Sequence, residues 1–258
     1  MRLLIGFLDQ PRGGLLQSLA KAGHRPETAD PYDDLPGVAA QCGPFDLVMP
    51  VVSGCAEALP MLRHMRRRGL ALPVLLLVAH PDAEAESEAL HAGADDVLEL
   101  QAPLPLLLAR LQALQRRALG HPSALIACGN VVLDQAAQAA AVDGRTVRLT
   151  RREYDVLEML LLRRGMVLGK EACMARLYGG EDGPEARIVD VFVCKLRRKL
   201  AAAGAAEILR TVWGVGYAAE EPGPAAIAAA RARFAAGRPR ARRAHLHAIP
   251  APGAMPAA

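Results

Sequence analysis

Apolar residues in the first 118 positions come in short blocks separated by amphipathic stretches. RLLIGF (2–7), FDLVM (45–49), PVLLLVA (73–79) and DVLEL (96–100) have the length and aliphatic content of strands, and a further strand is expected near 25–28. Between them the spacing predicts helices over 14–23, 35–41, 55–68, 83–92 and 104–118. Near-continuous apolar strands suit a sheet covered on both faces, and each parallel crossover must be long enough to hold a helix. The third strand is read as breaking at Pro50, which lacks a backbone donor. Residues 1–118 are therefore expected to form an α/β, flavodoxin-like domain.

The pattern then changes. ALIACGNVVLD (124–134) and QAAAVDGRTVRLT (138–150) alternate apolar and polar positions around an Asp143-Gly144 turn, as in a small antiparallel meander. Thr150-x-x-Glu153, ahead of Val156, Leu157, Leu160 and Leu161, is a capping box that opens an amphipathic helix. Further helices are expected near 170–177 and 185–201, and EILRTVWGVGYAA (207–219) reads as a hairpin with Gly214 and Gly216 at its tip. The predicted organisation is an α/β unit over 1–118, a linker at 119–125 and an α+β unit over 126–219. Residues 220–258 form an Ala/Pro/Arg-rich tail, expected to be disordered because it has few large apolar side chains to offset ordering entropy.

Composition narrows the chemistry. The five cysteines are scattered and lack metal-ligand spacing, so free thiols in a reducing compartment are expected, with no metal and no cofactor. The apolar run LALPVLLLVA (70–79) is about half a membrane span, so a cytoplasmic protein with no membrane partner is expected. Residues 1–118 hold 11 basic side chains against 14 acidic, and residues 119–258 hold 20 against 13. Six of the later arginines lie beyond residue 222, so bulk charge alone does not argue for nucleic acid. No nucleophile elbow, phosphate loop or acid–base cluster marks an enzyme.

Local placement of charge is more informative. If RIVDVFVCKLRRKL (187–200) is a helix, Val189, Val193, Leu196 and Leu200 form one core stripe. The opposite face carries Arg187, Val191, Cys194, Lys195 and Arg198. Cations beside a small apolar side chain suit a helix in a DNA major groove, where they hold phosphates or guanine edges and a methyl meets thymine. A solvated basic face is the alternative reading.

LTRREYDVLEMLLLRRG, KEACMARLYG, RIVDVFVCKLRRKL and ILRTVWGVGY resemble, in order and spacing, the winged-helix effector domain of OmpR/PhoB-type response regulators, and in particular their CtrA-like subgroup. The resemblance implies a sequence-specific transcription regulator binding double-stranded promoter DNA. It places the recognition helix at 185–200, with Lys195 reaching bases and Arg187 and Arg197 near phosphates. It also places Thr211 and Trp213 in the wing, and makes 178–184 a segment that can meet RNA polymerase. Trp213 either stacks on sugar or packs internally. Cys194 is either a redox handle or a small residue that permits close approach to DNA.

The N-terminal unit, with GADD (93–96) and LLARLQALQRR (107–117), resembles the receiver domain of the same regulators. Receivers use carboxylates to hold a divalent cation, an aspartate to take phosphate, and a hydroxyl and a lysine to respond to it. Here Gly6, Phe7 and Leu8 come after RLLI and before Asp9, no aspartate lies between Asp46 and Asp82, and Val78 and Leu100 or Gln101 stand at the hydroxyl and lysine positions. A degenerate receiver with no phosphorylation site follows. It is expected to serve a homodimer through 83–92 and 104–118, with Asp95, Asp96, Arg110, Arg116 and Arg117 available to pair across it. The alternative is an interaction module acting on polymerase or a signalling partner, or a regulator answering a non-phosphate signal.

Overall fold

The computed structural model describes residues 1–8, 13–29, 34–178 and 185–237. Its N-terminal unit runs β1 (Arg2–Phe7), α1 (Gly13–Lys21), β2 (Arg25–Ala29), α2 (Leu35–Gln41), β3 (Leu47–Val52), α3 (Cys55–Arg67), β4 (Leu75–Val78), α4 (Ala83–Ala92), β5 (Asp96–Glu99) and α5 (Leu104–Ala118). The strands form one parallel sheet in the order β2-β1-β3-β4-β5. Alternate strand residues supply two apolar layers. Leu4, Val48, Val52, Leu76 and Val78 pack on α2, α3 and α4, while Leu3, Ile5, Leu47, Met49, Val51 and Leu75 pack on α1 and α5.

The expected break at Pro50 does not occur: β3 continues to Val52 and is buried throughout. The ladder to β4 is paired at Val51↔Leu77 and Val52↔Val78 and bridged at Val48↔Val74. Pro50, without an N–H, falls in the gap between them. A central strand tolerates the proline because only one ladder bond is given up while both faces stay packed.

The C-terminal unit opens with the antiparallel meander β6 (Leu125–Cys128), β7 (Val131–Asp134), β8 (Ala139–Val142) and β9 (Arg145–Val147). Asp143 and Gly144 turn between β8 and β9 with φ of 46° and 77°, the pair of positive values a tight primed turn requires. Then come α6 (Arg151–Leu162), β10 (Leu168–Gly169), α7 (Lys170–Tyr178), α8 (Ile188–Ala202), β11 (Leu209–Val212) and β12 (Gly216–Ala219). One core joins the meander to the inward faces of α6, α7 and α8. The short strand β10 was not anticipated; it pairs with β12 to make a three-stranded wing sheet, β10-β12-β11. At Gly216 an added Cβ would collide with the Leu168 carbonyl, so this glycine is what lets β10 approach.

The expectation of disorder from residue 220 onward needs correction. Glu220 N donates to Ile208 O, Glu221 accepts from Gly129 N and pairs with Arg164, and α9 spans Pro224–Gly237. The alanines that leave the segment poor in core residues are also the best helix formers. Ala230 is buried, the Phe234 ring lies under the Arg145 guanidinium, and Arg231 pairs with Asp143, so α9 is fastened to the meander. The remainder of the tail, 238–258, lies outside the described residues.

Candidate nucleic-acid interface

Helix α8 begins after Arg187 and buries Val189, Val193, Leu196 and Leu200. Arg187, Val191, Cys194, Lys195 and Arg198 are all exposed along the outer face, Val191 at 47%. The predicted stripe and its basic counterpart are therefore both formed.

Two ties hold this helix in place. At its C-terminal end, Lys199 Nζ lies 2.5 Å from Glu153 Oε2, and Glu153 is the N3 residue of the Thr150 capping box on α6. Burial opposes ionisation of Glu153, but Lys199 and the Thr150 amide outweigh it and hold the carboxyl below its usual range. Near its start, Asp190 accepts from the Tyr217 hydroxyl at 2.6 Å and from Lys170 Nζ at 2.8 Å, joining α8 to β12 and α7. These two ties involve long-range partners that the chain pattern did not announce, although the capping box itself was legible.

Arg197, expected near phosphates, is bonded within the chain. Its guanidinium donates to Leu209 O and to Thr211 Oγ1 at 2.8 Å, so both Arg197 and Thr211 are engaged in the seam between α8 and the wing. It stands at the half-buried edge of the core stripe, within reach of the first wing strand. Trp213 is 91% exposed at the hairpin, which removes the internal-packing alternative. A cleft of about 770 Å³ between the wing and the start of α8 is lined by Lys170, Asp190, Thr211, Trp213 and Val215, among others. Cys194 is exposed and Cys173 buried.

At the carboxyl edge of the parallel sheet the described residues include Phe7 at the end of β1 and Leu8 after it, Val52 and Ser53 at β3, Val78 at β4 and Leu100 after β5. Ser53 N donates to Glu57 Oε2. Asp9 lies outside the described residues, as does 179–184 of the segment read as able to meet polymerase. Four of the five charged residues expected to pair across a dimer, Asp95, Asp96, Arg110 and Arg116, have partners within the chain. Asp95 binds Arg66 and Val74 N, Asp96 binds Arg110, and Arg116 donates to Gln135 Oε1. Among the described residues no helix is long and apolar enough to cross a membrane.

An α/β receiver-like unit joined to a winged helix whose exposed basic face is braced from two sides defines a DNA-binding response regulator. Residues 144–219 match the family model described as "Transcriptional regulatory protein, C terminal". The chain is 40% identical to the cell cycle response regulator CtrA of Brucella anthropi over 179 residues, covering 69% of this chain and 75% of that one, with the same figures for Brucella ovis CtrA. Among solved structures, response regulator DrrB of Thermotoga maritima, an OmpR/PhoB homolog, aligns over 85% of this chain and 100% of its own at 23% identity and a TM-score of 0.38. The chain belongs to the OmpR/PhoB-type response regulators and is a DNA-binding transcription regulator of that type.

Proposed function

We propose that this regulator reads promoter DNA with Arg187, Val191, Cys194, Lys195 and Arg198 of α8 and with the wing residue Trp213, independently of aspartyl phosphorylation. The observation that carries the reading is the exposed face of α8. It offers cations and one apolar side chain on the outside of a helix whose other side is fully committed to the core. In this reading Arg197 and Thr211 position the wing instead of meeting phosphate. Phosphate independence is supported by Val52, Ser53, Val78 and Leu100 at the edge where receivers keep their reactive groups. The exposed Leu90, Leu104 and Leu106 on α4 and α5 favour a homodimer whose contact is mainly apolar, since Asp95, Asp96 and Arg110 are already paired within the chain.

Selection from a promoter library tests the first part. Lys195→Ala is expected to cost about 1–3 kcal/mol of specific binding and to relax preference at one base position. Unchanged selectivity would favour an interaction module instead. Incubation with a small phosphoryl donor tests the second part, where stoichiometric acid-labile phosphate on the N-terminal unit would refute it.

A further inference from the structure

The inter-unit contact centres on Asp46, the residue immediately before β3. Asp46 Oδ2 accepts from Arg2 N at 2.8 Å, which fixes the carboxylate to the sheet. Its Oδ1 accepts from Arg163 Nη2 and, at 3.1 Å, from Arg176 Nε. The side chain of Asp46 is 1% exposed, those of Arg163 and Arg176 are 8% and 10% exposed. Arg163 caps the C-terminus of α6, and Arg176 lies in the last turn of α7. Arg25 of β2 adds a second hold, donating through Nη2 to Leu177 O at 2.6 Å, where Arg152 of α6 also donates.

We infer that Asp46 is a positioning residue for DNA reading: from the receiver it sets the angle between α6 and α7, and through α7 the seat of α8. Two guanidinium groups face one carboxylate in a buried place. Without it they are like charges with no counter-ion, and the two helix ends they belong to are driven apart. Helix α7 connects directly to the start of α8 through the Lys170–Asp190 pair, so a shift of α7 is passed to the DNA-facing helix. The inter-unit bonds of the described residues end on α6, α7 and the meander, while the outer side chains of α8 stay open to solvent. The receiver is thus a fixed brace behind the reading head, and DNA access requires no release of one unit from the other.

The affinity part of this inference rests on the proposed reading of α8, whereas the docking part does not. The test uses the full chain and an operator selected from a promoter library by the unsubstituted protein. Asp46→Ala is expected to retain its circular dichroism and to show a larger radius of gyration in small-angle scattering. It should also lose about tenfold or more in operator affinity, within the usual span of coupling between sites, with binding to unrelated DNA unchanged. Asp46→Glu, which keeps the charge, is expected to recover most of the selectivity. A wild-type radius with wild-type affinity would overturn the inference, and so would an opened molecule that still binds operator as tightly as the parent. If Asp46→Ala does not fold, Asp46→Asn is read by the same measurements and the same outcomes. Failure of the parent reading is distinguishable: the unsubstituted chain would then select no operator, or Lys195→Ala would be without effect, while scattering still decides whether Asp46 joins the units.

Discussion

The Tyr217 hydroxyl donates to Asp190 Oδ1 at 2.6 Å, so the second wing strand and the first turn of α8 move together. Burial, together with the Asp190 carboxylate, pushes the phenol up to about 12, and it remains a donor across the working pH range. Tyr217→Phe removes only this bond. It is expected to cost about 1 kcal/mol of stability, read in urea unfolding, and to weaken operator binding by loosening the wing relative to the helix.

The capping box on α6 makes a separate prediction. Thr150 accepts from Glu153 N, and Glu153 accepts from Thr150 N at 2.8 Å while also holding Lys199. Thr150→Ala is expected to lower stability by about 1 kcal/mol, moving the urea midpoint without changing the slope. A larger loss for Glu153→Ala is expected, because Lys199 and the Thr150 amide lose a partner that is itself buried.

Removing the Asp46 carboxylate should cost far more than a surface charge. Asp46→Ala is expected to destabilise the chain by about 3–5 kcal/mol, whereas the triple change Asp46→Leu, Arg163→Met and Arg176→Met should recover most of it, because apolar packing can replace a buried ion cluster. Burial raises the Asp46 carboxyl, but Arg176 and Arg163 overcome this and hold it below the value of 3.8 expected for a free side chain. A depressed folded value makes this contribution complete above pH 3.8 and lost as pH falls further, so scattering should show the units separating only in that acid range.

His24 gives a pH dependence nearer neutrality. It is 7% exposed, and its Nδ1 has no hydrogen-bond partner. Burial foremost, with the N-terminal amine and Arg151, pushes its pKa down to about 3, against a partial pull from Asp46. The folded value lies below the unfolded one, so its contribution is present above pH 6.5 and declines as pH falls towards 3. Stability should drop by up to about 1.4 kcal/mol per pH unit in that window, and His24→Gln should flatten the dependence in thermal melts taken between pH 6.5 and 5. An unchanged pH profile would show that His24 titrates alike in both states.

What could be read from the chain was whatever is encoded locally. The period of Val189, Val193, Leu196 and Leu200, the Thr150 capping box and the Asp143-Gly144 turn each sit within a few residues of one another, and all appear as expected. The convergence of Asp46 with Arg163 and Arg176 spans more than a hundred positions and has no periodic signature. Pro50 does not end β3, since the cost of one missing donor is small against the burial of both faces of the strand. Helix α9 has too few large apolar residues to announce itself, and it forms on alanine's backbone preference. The bonds of Arg197 to Leu209 O and Thr211 join residues twelve and fourteen positions apart, which the motif does not announce.

Trp213 is the only tryptophan in the chain, and it stands 91% exposed at the wing. The protein therefore carries a single indole fluorophore, bathed in water and remote from its core. Its emission should change little when the core unfolds, so tryptophan fluorescence is a poor thermometer for this molecule. The same placement makes it an unlabelled optical reporter of whatever docks against the wing, and a titration with DNA can be followed by eye of the indole alone.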